Sequence, residues 1–340
     1  MMFPDSVGKP AYWVGFIVFV ILMLAIDLGV FHRKAHVVRF REAAIWSAIW
    51  IGISLLFGAF VWVQFGSEKG WEFLAGYVLE KSLSVDNIFV FILIFSSLGI
   101  PRLYQHRVLF YGILGALILR AAMIIGGAAL IESFHWVMYI FGGFLIYAGA
   151  KIFFEKEEGE GIPPKENRVM KLVNRFVPST TTYDGERFFI IENGKRFATP
   201  LFTALILVEI SDVVFAVDSI PAIFAITTDP FIVFTSNICA ILGLRSLFFL
   251  LAEAGDQFRY LSTGLAFVLI FVGMKMVAGT WDEDWVMHPA VSLSVILGFL
   301  TLAIVASIMK NRREAAARGG LSDGEERPQG DDGDEPPSEG

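Results

Sequence analysis

The chain has 340 residues, of which 55% are hydrophobic and only 18% are charged, and its mean hydropathy is +0.63. This composition excludes a soluble globular domain and is typical of a membrane protein with several spans. The formal net charge of −7 arises in the C-terminal tail, where nine acids from Glu314 onward stand against Arg318 and Arg327, so it does not point to a nucleic-acid partner.

Nine apolar stretches are long enough to cross a bilayer as helices. They cover residues 11–31, 43–65, 71–98, 108–131, 134–154, 200–226, 231–252, 258–279 and 289–310. The first stretch is longer than the apolar part of a signal peptide, and no small-residue cleavage site follows it, so it is interpreted as a retained helix. The predicted fold class is all-α: a polytopic membrane protein with nine transmembrane helices spanning residues 11–310.

The distribution of lysine and arginine predicts the orientation of these helices. Basic residues follow every odd-numbered stretch, whereas the connections on the other side carry only Lys9 and Lys69. This places residues 1–10 outside the cytoplasm and makes 155–199 a cytoplasmic loop. Within that loop, apolar segments around Asn193-Gly194 predict a β-hairpin. The acidic, Gly- and Pro-rich residues 311–340 are predicted to be a disordered cytoplasmic tail.

An internal repeat relates the third to fifth stretches to the sixth to eighth. The matching segments are Ser84-Val-Asp-Asn-Ile with Ala216-Val-Asp-Ser-Ile, Leu119-Arg with Leu244-Arg, and Leu145-Ile-Tyr-Ala-Gly-Ala-Lys with Leu269-Ile-Phe-Val-Gly-Met-Lys. A unit of three helices that repeats must cross the bilayer in the opposite direction the second time. The sequence therefore predicts a 3+3 inverted-topology repeat, with repeat 1 at about 71–154 and repeat 2 at about 200–279. This plan is common in secondary transporters, and chance similarity between Leu/Ile/Gly-rich helices is the alternative.

Charged side chains within these stretches are candidates for function, because each costs roughly 2.5–3.5 kcal/mol near the middle of a bilayer. The predicted metal-binding set is Glu80, Asp86, Asn87, Glu209, Asp212 and Asp218. The predicted charge-pairing residues are Lys81, Arg120 and Arg245. Five acids against three bases leave a formal charge of −2, which fits one divalent cation or two protons.

The ligand types favour a hard cation. Carboxylate and amide oxygens suit Mg²⁺, Ca²⁺ and Mn²⁺, and no histidine or cysteine lies near the aspartates. The alternative is purely structural, with Asp86 and Asp218 pairing with Arg120 and Arg245. Straight helices do not aim all five acids at one point, and Pro221 predicts a kink or unwinding near Asp218. Asp27 is interpreted as an interfacial residue.

At these residues the sequence resembles the TerC family of integral membrane proteins, over roughly 11–310. The motifs are Asp27-Leu-Gly-Val-Phe-His-Arg-Lys-Ala-His, Glu80-Lys-Ser-Leu-Ser-Val-Asp-Asn-Ile-Phe-Val, Ala198-Thr-Pro-Leu and Glu209-Ile-Ser-Asp-Val-Val-Phe-Ala-Val-Asp-Ser-Ile-Pro-Ala. The resemblance implies manganese export across the bacterial cytoplasmic (inner) membrane, with links to tellurite resistance and to metal supply for secreted proteins. Carried over residue by residue, the family's transport site falls on Glu80, Asp86, Glu209, Asp212 and Asp218.

Two functional hypotheses follow. The first is a transporter that exports a divalent cation, Mn²⁺, coupled to protons, with the ion as transported substrate and no permanently bound cofactor. The second is a membrane assembly or stress-resistance factor that delivers metal to partner proteins without a transport cycle of its own.

No G-x-x-x-x-G-K-[ST] loop is present for ATP binding. No Gly-x-Gly-Asp motif of an intramembrane protease surrounds either aspartate, so the chain is not expected to be an enzyme.

Overall fold

The computed structural model describes residues 6–31, 38–134, 136–155, 180, 185–192, 195–254, 260–281 and 287–325. This part of the chain forms helices and one two-stranded hairpin. The helices are α1 (Pro10–Phe31), α2 (Phe40–Phe65), α3 (Ser67–Ser97), α4 (Arg102–Ser133), α5 (Val137–Glu155), α6 (Pro200–Phe224), α7 (Pro230–Ile241), α8 (Leu244–Ala254), α9 (Leu261–Trp281) and α10 (Pro289–Glu325). The strands are β1 (Phe189–Glu192) and β2 (Lys195–Ala198).

The helices confirm a polytopic all-α membrane protein. Within the described ranges, seven helices are long and apolar enough to cross a membrane, or eight if α7 and α8 count as one bent span. α3 is not among them, and its apolar part carries Glu80, Lys81 and Asp86. The number nine therefore stays a prediction. Outer faces expose large apolar side chains, such as Leu56 at 73% and Val63 at 86%, as lipid-facing residues do.

The break in the membrane region lies in a different helix from the one that the sequence suggested. The predicted span 231–252 is divided into α7 and α8, which meet at a bend of 43°. Gly243 lies in the break with φ of +79°, a conformation that favours glycine. In contrast, α6 continues through Pro221 to Phe224, so the unwinding predicted near Asp218 is wrong. A proline removes one main-chain hydrogen bond, and the packed helix keeps the others.

The helix termini gather at two ends of the bundle. At the first, here named the cavity end, the starts of α3, α5 and α10 meet the last turns of α9 and the connection from α6 to α7. At the second, the hairpin end, β1 approaches the start of α4. There Arg107 Nη1 lies 3.3 Å from Glu186 Oε2, and the rings of Tyr111 and Phe188 lie 5.3 Å apart.

The β-hairpin agrees with its sequence prediction, whereas the C-terminal tail agrees only in part. β1 and β2 pair antiparallel from Phe189↔Ala198 to Glu192↔Lys195, which confirms the predicted hairpin, although its turn, 193–194, lies outside the described residues. α10 continues past residue 310 to Glu325, so the first part of the predicted disordered tail is helical. The alanines and arginines between 312 and 318 are good helix formers. Residues 326–340 lie outside the described ranges.

α3 lies at the centre of the fold. It packs against α2, α6, α7 and α10, while α4 packs against α6, and α5 runs along α9. Glu72 and Glu80 of α3 are buried among these helices, where a polar side chain must find a protein partner.

Candidate functional site

The centre of the site is Arg120 of α4, which is 1% exposed. Its Nη2 donates to Asp212 Oδ1 at 2.8 Å, and its Nε donates to Asp212 Oδ2 at 3.2 Å. Its Nη1 donates to Glu80 Oε1. One guanidinium therefore joins a carboxylate of α3 to a carboxylate of α6, in the bidentate geometry that makes arginine–carboxylate pairs strong.

Asn237 of α7 completes this buried network. Its Nδ2 donates to Glu80 Oε2 at 3.1 Å, and its Oδ1 accepts from Arg120 Nη1 at 3.4 Å. The side chain is fully buried. Asn237 was not in the predicted metal-binding set. In the sequence it is a single amide within an apolar helix, and such a residue can be either a metal ligand or a partner in an interhelical hydrogen bond.

Glu209 lies one turn before Asp212 on α6. Its Oε2 is buried and has no hydrogen-bond partner within the described part of the chain. The carboxylate rests against Gly115 of α4, where an added Cβ would overlap it. A buried carboxylate oxygen without a partner is costly, so this atom is available for an ion or a proton. Gly115, which the sequence did not single out for this role, provides the space.

Lys81 follows Glu80 on α3 and reaches the helix break. Its Nζ donates to the carbonyl of Ala240 at 3.0 Å and lies 3.5 Å from that of Leu242. These carbonyls are left open where α7 ends, and a cation at a helix C-terminus is favourable. Lys81 was predicted to pair with a carboxylate, but its hydrogen bonds in the described structure go to the main chain.

Arg245 of α8 has an acidic partner that the sequence did not assign to it. Its Nη2 donates to Asp27 Oδ1 of α1 at 2.7 Å, and both residues are buried. Asp27 is therefore enclosed by protein and paired, which the sequence did not predict, whereas its interfacial depth stays a prediction. The structural alternative paired Arg120 and Arg245 with Asp86 and Asp218. For Arg120, the partners in the structure are Glu80 and Asp212.

The predicted metal-binding set is only partly visible. The backbones of Asp86 and Asp218 lie within α3 and α6, but their side chains lie outside the described part of the structure. Asn87 is buried, at 3% exposure. Among the described side chains, no three of the His, Cys, Asp or Glu type are grouped as a metal site. Two of the predicted ligands, Glu80 and Asp212, are instead joined by Arg120.

Comparisons with known proteins agree on one group of relatives. Residues 65–315 match the family described as "Integral membrane protein TerC family". The chain is 61% identical over 307 residues to the "Uncharacterized membrane protein STKORF319" of Myxococcus xanthus, covering 90% of this chain and 95% of that protein. It is 46% identical over 326 residues to the "Putative membrane-bound redox modulator Alx" of Escherichia coli strain K12, covering 93% and 100% respectively. No solved structure matches the chain.

Proposed function

The chain belongs to the TerC family of integral membrane proteins, and from this premise we propose that it is a secondary transporter of a hard divalent cation, Mn²⁺. The proposed direction is export, coupled to protons. The proposed location is the bacterial cytoplasmic membrane, with the N-terminus outside and the C-terminus inside, which the distribution of lysine and arginine supports.

The observation that carries this proposal is the surplus of carboxylates around Arg120. Glu80 and Asp212 share one guanidinium, and Glu209 beside them has an oxygen without a partner among the described residues. Among the described side chains, Glu80, Glu209 and Asp212 carry three negative charges against the single positive charge of Arg120, a formal charge of −2. Buried charge of one sign requires a counter-charge, and a cation supplies it.

Arg120 suggests how such a site can work without ever leaving its carboxylates uncompensated. We propose that the guanidinium and the ion alternate as the counter-charge of Glu80 and Asp212. Carboxylate oxygens, with the amide of Asn237 beside them, are suited to Mn²⁺ rather than to copper or zinc. Glu209, with its open oxygen, is the proposed proton carrier, because exchange of protons for the ion limits the change in buried charge.

Contacts between α5 and α9 support the inverted repeat that this cycle needs. Added Cβ atoms on Gly142 and Gly273 would lie 3.0 and 2.7 Å from each other's carbonyl oxygen, and one on Gly149 would lie 2.6 Å from Ala266 O. With the repeat offset of 124, residue 142 corresponds to 266 and residue 273 corresponds to 149, so the contact 142/273 has the contact 266/149 as its counterpart. Such paired contacts are expected between two helices that are related by a two-fold axis. The helices are antiparallel, as an axis in the membrane plane requires.

The Alx relatives are named as redox modulators, which suggests a redox role as an alternative function. The chain contains one cysteine, Cys239, which is 1% exposed. A thiol–disulfide cycle within one chain needs two cysteines, so this chain cannot carry out such a cycle by itself. The assembly or stress-resistance factor remains the second hypothesis, with the hairpin and the acidic tail as its contact surfaces.

A flux assay tests the proposal directly. Purified protein is reconstituted into liposomes that contain a fluorophore quenched by Mn²⁺, and Mn²⁺ is added outside with and without a pH gradient. Protein-dependent quenching that responds to the gradient is expected, and Glu209→Gln should abolish the response. Quenching no faster than in protein-free liposomes would contradict transport. A partner retained by the same protein would then favour the assembly factor.

A further inference from the structure

A second polar region lies at the cavity end of the bundle, away from Arg120. A cavity of about 620 Å³ is enclosed there by α3, α5, α9, the start of α10 and the connection from α6 to α7. Its charged lining residues are Glu68, Lys69, Glu72 and Lys275, and hydroxyl groups are added by Tyr139, Thr227, Thr228 and Thr280. Under the predicted orientation, this end faces away from the cytoplasm.

Glu72 is the buried acid of this cavity. It is 6% exposed, whereas Glu68, one turn earlier on α3, is exposed at the rim. Lys69 Nζ lies 2.9 Å from Glu72 Oε2, and Thr227 donates a hydrogen bond to the same oxygen. Thr227 belongs to the turn after α6, so Glu72 joins repeat 1 to the end of the first helix of repeat 2.

Lys275 of α9 provides a second positive charge beside Glu72. It interacts electrostatically with this carboxylate, and no hydrogen bond or ion pair places it on another described residue. Lys275 therefore carries a charge that opposes entry of a cation into the cavity and that compensates Glu72 when no cation is near.

The cavity and the Arg120 network lie along one face of α3. Glu72, Gly76 and Glu80 are spaced four residues apart, which places them on the same side of the helix, with about 12 Å of rise between the two acids. At Gly76 the passage is closed: an added Cβ would lie 2.9 Å from Ser236 Oγ and 3.1 Å from the Ile223 side chain. The two acids thus lie on one side of α3, separated by one close helix–helix contact at Gly76.

We propose that this cavity is the extracytoplasmic vestibule of the transport path, that Glu72 binds the divalent cation there, and that Lys69 and Lys275 compete with the cation for Glu72. The contact of Gly76 with Ser236 and Ile223 is the closed gate between the vestibule and the Arg120 network. The inference rests on the proposed function, and it assigns to Glu72 and Lys275 a role in ion selection.

The vestibule can be tested by thiol labelling, which does not depend on flux. In a Cys239→Ala background, Thr228→Cys places a thiol on the cavity wall and Ser236→Cys places one in the closed gate. In right-side-out vesicles, a membrane-impermeant maleimide should label Thr228→Cys and leave Ser236→Cys unlabelled. MnCl₂ at about ten times its Kd should slow the labelling about tenfold. Adding Glu72→Gln should remove that protection, and the matched change Glu68→Gln should keep it.

Lys275→Gln gives an independent measurement that a purely structural role of the lysine would not produce. Loss of the competing charge should lower the MnCl₂ concentration needed for half-protection, an opposite effect to that of Glu72→Gln. Labelling of Thr228→Cys only in inside-out vesicles, or protection by Mn²⁺ that is equal with Glu72→Gln, would overturn the vestibule. Protection without any Mn²⁺ flux in liposomes would contradict transport and leave the cation site standing.

Discussion

Arg120 and Arg245 occupy matching places in the two predicted repeats, yet the structure gives them different acidic partners. Arg120 is shared by two acids from two helices of the predicted repeats, Glu80 and Asp212, with Glu209 beside them. Arg245 pairs with Asp27 of α1, which lies outside both predicted repeats. One arginine joins helices of the two predicted repeats, and the other reaches a helix outside them. An equivalent position in a repeat therefore does not imply an equivalent role.

The largest effect on stability is expected at the pair of Asp27 and Arg245. Asp27→Ala removes one carboxylate partner of the buried Arg245 guanidinium, and loss of one partner of a buried pair costs about 3–5 kcal/mol. The amount of protein in the membrane and its thermal stability in detergent should both fall. The double variant Asp27→Ala/Arg245→Leu should recover part of the loss, since the guanidinium that lost the Asp27 carboxylate is removed as well. If the double variant were as unstable as the single one, the pair would not account for the effect.

The opposite outcome is expected for Asp86 and Asp218. Asp86→Asn and Asp218→Asn should abolish manganese tolerance of cells while leaving the abundance of the protein unchanged, because the amide keeps the size of the side chain and removes the charge that the proposed ion needs. Growth on manganese and immunoblots of membranes measure the two properties separately. Disappearance of both variants from the membrane would show that these aspartates, like Asp27, are structural.

A smaller effect is expected from the space beside Glu209. Gly115→Ala puts a methyl group where the carboxylate lies, so the side chain must move at a cost of about 1–3 kcal/mol, and Mn²⁺ flux should fall about tenfold if that energy opposes ion binding. Gly126→Ala, on the same helix with nothing within 4 Å of the added Cβ, is the matched control. Equal flux in the two variants would remove Glu209 from the transport site.

The smallest effect is expected in the hairpin. Glu192 and Lys195 are opposite each other in the register of β1 and β2, far along the chain from the acids of α3. Glu192→Gln and Lys195→Gln should change stability by no more than about 0.5 kcal/mol, and manganese tolerance should be unchanged. A complete loss of tolerance in either variant would indicate that the hairpin regulates the membrane part.

Much of the fold was predictable because local signals and the tertiary structure agree. Apolar stretches of about 20 residues specified most helices to within a few residues, and the Asn-Gly pair specified the hairpin. The break at Gly243 was missed because a glycine in an apolar stretch is compatible with a continuous helix. Pro221 suggested a break that is absent, because neighbouring helices hold α6 together through the loss of one hydrogen bond.

The charged residues were recognisable from the sequence alone, because ionisable side chains in apolar stretches are costly and must have partners. Which partner each one takes depended on helix packing. The bend that carries Arg245 to Asp27, the approach of α3 to α6 around Arg120, and the space at Gly115 all arise from contacts between residues distant in the chain. Composition and periodicity therefore determined the class of the protein and its candidate acids. Only the tertiary structure showed which acids share Arg120 and which acid pairs with Arg245. The partner of each arginine depends on distances between helices, and no local sequence pattern encodes those distances.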